Sequence, residues 1–553
     1  MTPGSQPSAH ARRTAPVVAI ALDGMSAVLL EQWAGEGLLP NIANVMREGA
    51  YGRQRNTNLY RVENSWLTLL HGCTADKSKE WGHLDYTAGH YDVTQRTSYG
   101  FTNLQPFYAL DPGKRVAVFD IPLTRRVPGV NGVQLFGWGI EVNQTARQSQ
   151  PPGLLRELLD RHGAHPLYAI TVNEADGNET LSYRIPCLYD APRMRALRDT
   201  LVAAAGQRTR MLVDIARREP WDFLMSAFAE THTAGHMFWH LGRPHGLPAS
   251  MHEAAGSDYL LDVTQAVDTA LGELMRELPA DAQLFLFSPH GMQGNALDLY
   301  SMLLLPELLY RWTTGRAALA DSPAGAPMGE PRLDFSRHWR EEVWALRTPH
   351  GNDTLESPYQ QEARGDPMDW DPANWYAGQW RHMKAFVLPG FSEGLVRINV
   401  AGRDGPTGVA PEQFDAVCEE VTALVKGMVD PRSGRPLVTD VLRVRRLPFA
   451  DATQLSAADL MVSWDEDVVT DTADHLQFGR IGPAPYFRTG GHTSEGFIIA
   501  RGSGFAPGSR LRPGATTPDL TASLLHAMGS GIPAHVDGRP LQDDAAAGIQ
   551  AAH

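Results

Sequence analysis

The stretch Val17-Val-Ala-Ile-Ala-Leu22, closed by Asp23-Gly24, decides the reading of this chain. An unbroken run of apolar, β-prone residues describes a strand buried on both faces, as in a parallel sheet with helices above and below. The run stops at a carboxylate, so the strand delivers Asp23 to its carboxyl end. Other runs behave alike: Val116-Ala-Val-Phe119 ends at Asp120, Phe223-Leu-Met-Ser-Ala-Phe228 ends near Glu230, and Leu284-Phe-Leu-Phe287 ends at Ser288. Helical periodicity fills the gaps, over 194–217 and over 259–278, the second with Leu260, Val263, Val267, Leu271 and Leu274 on one stripe. Strands alternating with helices give an α/β fold with a mainly parallel sheet, in which ligands sit beyond the carboxyl ends of the strands.

The 553 residues carry 63 acidic against 49 basic side chains, a net charge of -14. That balance repels nucleic-acid phosphates and anionic lipid, so neither partner is expected and a small-molecule substrate is. An anionic substrate would need a local positive centre, such as a metal. Cys73, Cys187 and Cys418 are odd in number and far apart, which excludes a disulfide framework and a thiolate zinc cluster. The apolar run at 17–22 is too short for a signal core, and no later stretch reaches the roughly 18 apolar residues of a membrane span. These features together read as a soluble cytoplasmic protein, and nothing in the patterning fixes an oligomeric state.

Residues 1–15 read as a disordered N-terminus, 16–545 as a single domain and 546–553 as a tail. Within the domain, 312–380 breaks the strand–helix rhythm. It is rich in Pro, Gly and charge and holds six of the 13 tryptophans, so it reads as an insertion, either an aromatic-anchored surface excursion or a cap over the site. Apolar patterning resumes at 383–388 and 395–400.

Histidines mark the strand ends. Glu230-Thr-His232-Thr-Ala-Gly-His236 follows an apolar strand, and on a helix an i, i+4 pair presents both imidazoles from one face, as a divalent metal requires. His240 continues that face and reads as a packing or outer histidine. His290 directly follows a strand in Ser288-Pro-His290-Gly-Met292. His492 lies in the glycine-rich Thr489-Gly-Gly-His492-Thr-Ser-Glu-Gly496, where glycine permits close backbone approach to a ligand.

In these elements, together with Asn41-Ile-Ala-Asn44, Gly49-Ala50, Ser65-Trp66-Leu-Thr68-Leu-Leu-His-Gly72, Thr517-Pro-Asp519 and Asp537-Gly-Arg-Pro-Leu541, the sequence resembles the alkaline phosphatase superfamily. It is closest to the nucleotide pyrophosphatase/phosphodiesterase branch, over about 16–541. The resemblance implies a three-layer sandwich around a mainly parallel sheet, and two metals flanking a Thr or Ser nucleophile. Carried over, the first metal would fall to position 232 with His236 and His492. The second would fall to Asp23, position 289, His290 and the nucleophile.

Three departures follow. The family's Asp at 232 is His232, at 289 it is Pro289, which cannot ligate, and the nucleophile position falls on Val62, which has no attacking oxygen. Ser65 stands three residues late and would serve only in a remodelled turn. The second site is left with Asp23 and His290, too few donors to hold a catalytic metal against water. The first gains a set suited to zinc above all, with iron or copper as alternatives, and an open position for water or substrate.

The expectation is therefore a metal-dependent hydrolase resembling type I phosphodiesterases, in which one metal on His232, His236 and His492 activates water in place of a side-chain nucleophile. Asp23 and His290 would act as general base or acid, and Glu63 or Asn64 would replace polar contacts in the nucleophile turn. Glu230 would orient a ligating histidine or simply sit at a helix N-terminus. Arg61, Lys384 and Arg488 are basic candidates for holding substrate. A non-hydrolytic mononuclear metalloenzyme, either a lyase or an iron or copper redox enzyme, is the alternative, and a pseudoenzyme the second.

Overall fold

The computed structural model describes residues 15–56, 64–82, 84–95, 101, 103–140, 147–172, 179–183, 186–243, 255–328, 338–366, 368–450 and 456–542. Val62, Glu63 and Arg61 lie outside the described residues, as do the expected tail at 546–553 and all but the last residue of the expected N-terminal segment at 1–15.

The strands that matter to the site are β1 (Val17–Leu22), β2 (Ala50–Arg55), β3 (Val116–Phe119), β4 (Gly132–Phe136), β5 (Gln148–Gln150), β6 (Phe223–Phe228), β7 (Gln283–Ser288) and β8 (Gly291–Gly294). After a smaller antiparallel sheet of β9 (Ala385–Leu388), β10 (Gly394–Ile398), β11 (Val438–Arg443) and β12 (Leu460–Trp464) come β13 (Gly490–Thr493), β14 (Glu495–Arg501) and β15 (Ser509–Arg510). The main sheet runs β15-β2-β14-β7-β1-β6-β3-β4-β5. Its centre, β7-β1-β6-β3-β4, is parallel throughout, and β14 joins β7 antiparallel.

Both faces of this sheet are covered, as an unbroken apolar strand requires. Val18, Ile20 and Leu22 of β1 point into one core with Leu260, Val263 and Leu271. Val17, Ala19 and Ala21 point into the other with Leu69, Leu520 and Leu524. The result is three layers. Four helices define them: α1 (Ser65–His71), α2 (Ala191–Arg218), α3 (Glu230–Phe238) and α4 (Tyr259–Glu277). A fifth, α5 (Thr517–Met528), covers the same face as α1.

Local signals set the helix ends. Asp190 caps α2 by accepting from Arg193 N at 3.1 Å, and α2 stops at Glu219, held extended before Pro220. Asp258 caps α4 through Leu261 N at 3.2 Å. Thr516 and Asp519 form a capping box at the head of α5.

Where described, the tryptophan-rich stretch 312–380 is a series of short helices joined by loops, and it packs on the smaller sheet. Trp375 and Trp380 are fully buried, and Trp380 stacks on Phe386 of β9 with centroids 4.9 Å apart. Among the described residues no helix is long and apolar enough to cross a membrane.

Candidate metal centre

The parallel strands deliver their terminal residues to one edge of the sheet. Asp23 follows β1, Glu230 follows β6 at the start of α3, and His290 follows β7. The segment 230–238 is helical, so His232 and His236 share a face, as their spacing predicts. His240 lies beyond the α-helix in a short 3₁₀ turn, its Nδ1 bonded to Thr489 Oγ1 at 2.8 Å, which places it outside the centre.

Two close approaches bring His492 to that face. The β8–β13 ladder sets Met292 opposite His492, so His290 and His492 sit side by side with ring centroids 4.5 Å apart. At Gly490 a Cβ would lie 2.0 Å from the Gly235 carbonyl oxygen, so only glycine lets β13 rest on the backbone of α3. That contact allows His236 Nδ1 to donate to the Gly490 carbonyl at 2.6 Å. Gly24, at φ 63, turns the chain after Asp23, and a Cβ there would meet His232 Cδ2 at 3.0 Å.

The outcome is a buried convergence of imidazoles. His232 Nε2 lies 2.8 Å from His492 Nε2 and 3.0 Å from His236 Nε2. Because His236 Nδ1 carries its proton toward Gly490, its Nε2 presents a lone pair to the cluster. Burial is the first cause that drives all four histidines down, His232 and His290 to about 3 and His236 and His492 well below the usual imidazole range, so all are neutral at pH 7. Neutral nitrogens cannot all be protonated at this spacing, and a divalent cation relieves the facing lone pairs. His232, His236 and His492 therefore fit a metal by chemistry and by approach, and among the described residues they are the one such group.

The neighbouring position offers far less. Asp23 Oδ1 accepts from Trp66 Nε1 at 2.9 Å and lies 3.8 Å from His290 Nε2. Pro289 supplies no donor. Ser65, at the first turn of α1, is buried with its Oγ 2.8 Å from His290 Nδ1. The serine judged too late in the turn is thus in contact with the site, because α1 begins at Ser65 and directs it there. Asn64 precedes it, but its amide donates to the Glu80 carbonyl at 3.3 Å and, among the described residues, is bonded to no site residue. Arg488 is buried against the cluster, paired with Asp298 and lying over Phe391 and Phe487. Lys384 pairs with Glu420 at the surface and lies over Trp312.

Glu230 takes a different part from the one expected of a histidine-orienting carboxylate. Its two oxygens accept from Arg208 Nε at 3.0 and 3.1 Å, while Arg208 Nη1 donates to Asp120 at 2.8 Å. Asp120, held at φ 56, also accepts from the backbone N–H groups of Gly137, Trp138 and Gly139. Burial raises the Glu230 carboxyl, but Arg208 and His165 outweigh it and leave the group ionised. The network ties the start of α3 to the ends of β3 and β6. Its signal in the sequence is Arg208 on the apolar stripe of α2, between Ala204 and Leu212, together with Asp120 closing an apolar strand.

Residues 123–326 match the family model of type I phosphodiesterase/nucleotide pyrophosphatase. Among solved structures, phosphonoacetate hydrolase from Sinorhizobium meliloti 1021 with phosphonoformate is 13% identical, with a TM-score of 0.43, covering 94% of this chain and 96% of its own. An inactive variant of murine ectonucleotide pyrophosphatase/phosphodiesterase 5 with AMP is 11% identical, with a TM-score of 0.46, covering 96% and 99%. No curated protein matches the sequence.

Proposed function

We infer that this chain, of which residues 123–326 match the type I phosphodiesterase/nucleotide pyrophosphatase family model, is a member of that branch of the alkaline phosphatase superfamily and a metal-dependent hydrolase of small-molecule phosphodiesters or pyrophosphates. The observation that carries the reading is the meeting of the His232, His236 and His492 ring nitrogens at the carboxyl edge of a parallel sheet.

Zinc suits three neutral imidazoles best, with iron or copper as alternatives. When bound, such an ion supplies Lewis acidity and makes water nucleophilic near neutral pH. The chain's own residues do the rest. Burial keeps the imidazoles neutral and available, the Gly490 carbonyl fixes the tautomer of His236, and Asp23 and His290 stand beside the centre to take and return protons. Arg488, buried beside the cluster and paired with Asp298, is among the described residues the guanidinium nearest the centre for orienting an anionic substrate, whose charge the metal would chiefly balance. The stretch 312–380 serves as a cap, since Trp370 stacks with Phe487, and Trp339 packs tilted against it, beside Arg488.

The test is turnover of a chromogenic phosphodiester by protein loaded in turn with zinc, iron and copper, with the metal content measured on the same samples. One equivalent of metal with turnover is the expected result. Failure of every metal-replete sample to turn over would refute the hydrolase reading.

A further inference from the structure

We propose that Asn295 is a positioning residue of the metal centre and acts through His492. The proposal rests on the metal reading above and adds to it the side chain that sets the one candidate ligand lying outside α3. His232 and His236 take their direction from a helix, and the His236 ring is fixed again by the Gly490 carbonyl. His492 has less to hold it. Among the described residues its ring is hydrogen-bonded to His232 alone, so its direction comes from its own backbone.

Asn295 grips that backbone. It follows β8 directly, is buried, and donates from Nδ2 to the His492 carbonyl at 3.1 Å. Its Oδ1 accepts from Leu297 N at 3.4 Å, so both ends of the buried amide are used. The amide lies against Gly491, where a Cβ would stand 1.6 Å from Asn295 Oδ1. Glycine at 491 therefore admits Asn295, as glycine at 490 admits the backbone of α3. The two glycines before His492 serve to bring protein groups onto the strand that carries the ligand.

A second tie joins the same two segments. Asp298 pairs with Arg488, four residues before His492, and accepts from Ser392 N at 3.3 Å. Ser392 is itself held at φ 52, in the left-handed region. The turn 295–298 thus holds the segment 488–492 at both ends, by the side chain at 488 and by the carbonyl at 492. It opens a helical stretch, Leu297–Leu299, then a π-helical turn at Tyr300–Leu304, then Leu305–Thr314, which leads into the insertion. Of the two ties, the one from Asn295 reaches the ligand residue itself. Truncation at 295 removes a donor from the His492 carbonyl and opens space against Gly491, so His492 is free to shift while α3 keeps His232 and His236 in place.

Full-length Asn295→Ala, compared with the wild type by competition against a chromogenic chelator, tests this with zinc alone. The expected result is zinc affinity weakened by roughly 10–100-fold, the contribution of groups that orient a ligand. Cobalt(II) supplies a signature that a merely structural role does not move. At saturating cobalt the visible d–d bands of the variant should differ from the wild type in position and intensity, because they report the geometry of the ligand set. Wild-type zinc affinity, or a wild-type cobalt spectrum, would show that Asn295 serves the fold alone and would overturn the proposal, whatever the urea midpoint of the metal-free variant.

Should Asn295→Ala not fold, the wild-type chain carries the test. On addition of zinc, amide hydrogen exchange followed by mass spectrometry should slow together in peptides covering 295–299 and 488–493. Slowing in one without the other, or in neither, would overturn the proposal. None of these readouts uses turnover. If Asn295→Ala loses zinc as expected and the wild type turns over no phosphodiester with any metal, the hydrolase reading fails and the role of Asn295 stands. If the wild type turns over a phosphodiester and Asn295→Ala binds zinc as tightly as it does, this proposal fails and the hydrolase reading stands.

Discussion

His232 and His492, 260 residues apart, bring their Nε2 atoms to 2.8 Å. Neither element achieves this alone. The helix α3 sets the direction of His232, and the β8–β13 ladder, seated on Gly235 through Gly490, sets that of His492. A centre held by two independently anchored elements is preorganised, and consequences follow for metal, pH and packing.

Loss of a ring nitrogen should remove the metal. His236→Ala is expected to weaken zinc binding by more than the ~10–100-fold that outer partners of a ligand contribute. Equilibrium dialysis with elemental analysis reads this directly, and retention of a full equivalent at micromolar zinc would refute the assignment of His236.

Acid should destabilise the metal-free protein well above the carboxylate range. In the folded chain His232 and His290 titrate at about 3, whereas an unfolded histidine titrates near ~6.5. Between those values the unfolded chain binds more protons, so stability is full above the unfolded value and is lost as pH falls toward the folded one. Each histidine kept neutral contributes a slope of about 1.4 kcal/mol per pH unit. His71, held at about 4 chiefly by burial, adds to the same slope. Urea midpoints at pH 7, 6 and 5 should fall in that order, and a constant midpoint would contradict neutral burial.

The Arg208 network should matter to stability although it touches no metal ligand. Arg208→Met leaves the fully buried Glu230 and Asp120 carboxyl groups without their guanidinium partner, at a cost of about 3–5 kcal/mol. Equilibrium denaturation measures this cost. A change below ~1 kcal/mol would show that water or a neighbouring group takes over from Arg208.

The contact of β13 with α3 should tolerate no added carbon. In Gly490→Ala the new Cβ meets the Gly235 carbonyl oxygen, so the strand must lift and the bond from His236 Nδ1 to the residue 490 carbonyl is strained or lost. We expect about 1–3 kcal/mol of destabilisation and metal affinity weakened by roughly 10–100-fold. Competition with a chromogenic chelator checks the second figure; unchanged affinity would mean that the strand lifts without moving His492.

Much of the framework was legible because burial imposes local pattern. The runs ending at Asp23, Asp120, Glu230 and Ser288 are β1, β3, β6 and β7, and the stripe from Leu260 to Leu274 is the buried face of α4. The i, i+4 spacing of His232 and His236 places both imidazoles on one face, because the segment is helical. Ser65 was discounted because register was counted against a family turn, whereas its place follows from where α1 begins. For Glu230 the sequence leaves open a histidine-orienting part or a place at a helix N-terminus; it stands at the head of α3, and its side chain turns to Arg208, 22 residues away.

The sequence by itself determined which atoms are available: imidazoles at His232, His236 and His492, no carboxylate at Pro289 and no hydroxyl at Val62. Donor chemistry belongs to residue type, so these points needed no coordinates. Only the tertiary structure decided which atoms meet, namely His492 with His232, Ser65 with His290 and Arg208 with Glu230. Those meetings depend on sheet register, on backbone approach at Gly490 and on the direction each side chain takes from its element. None of these leaves a periodic trace along the chain.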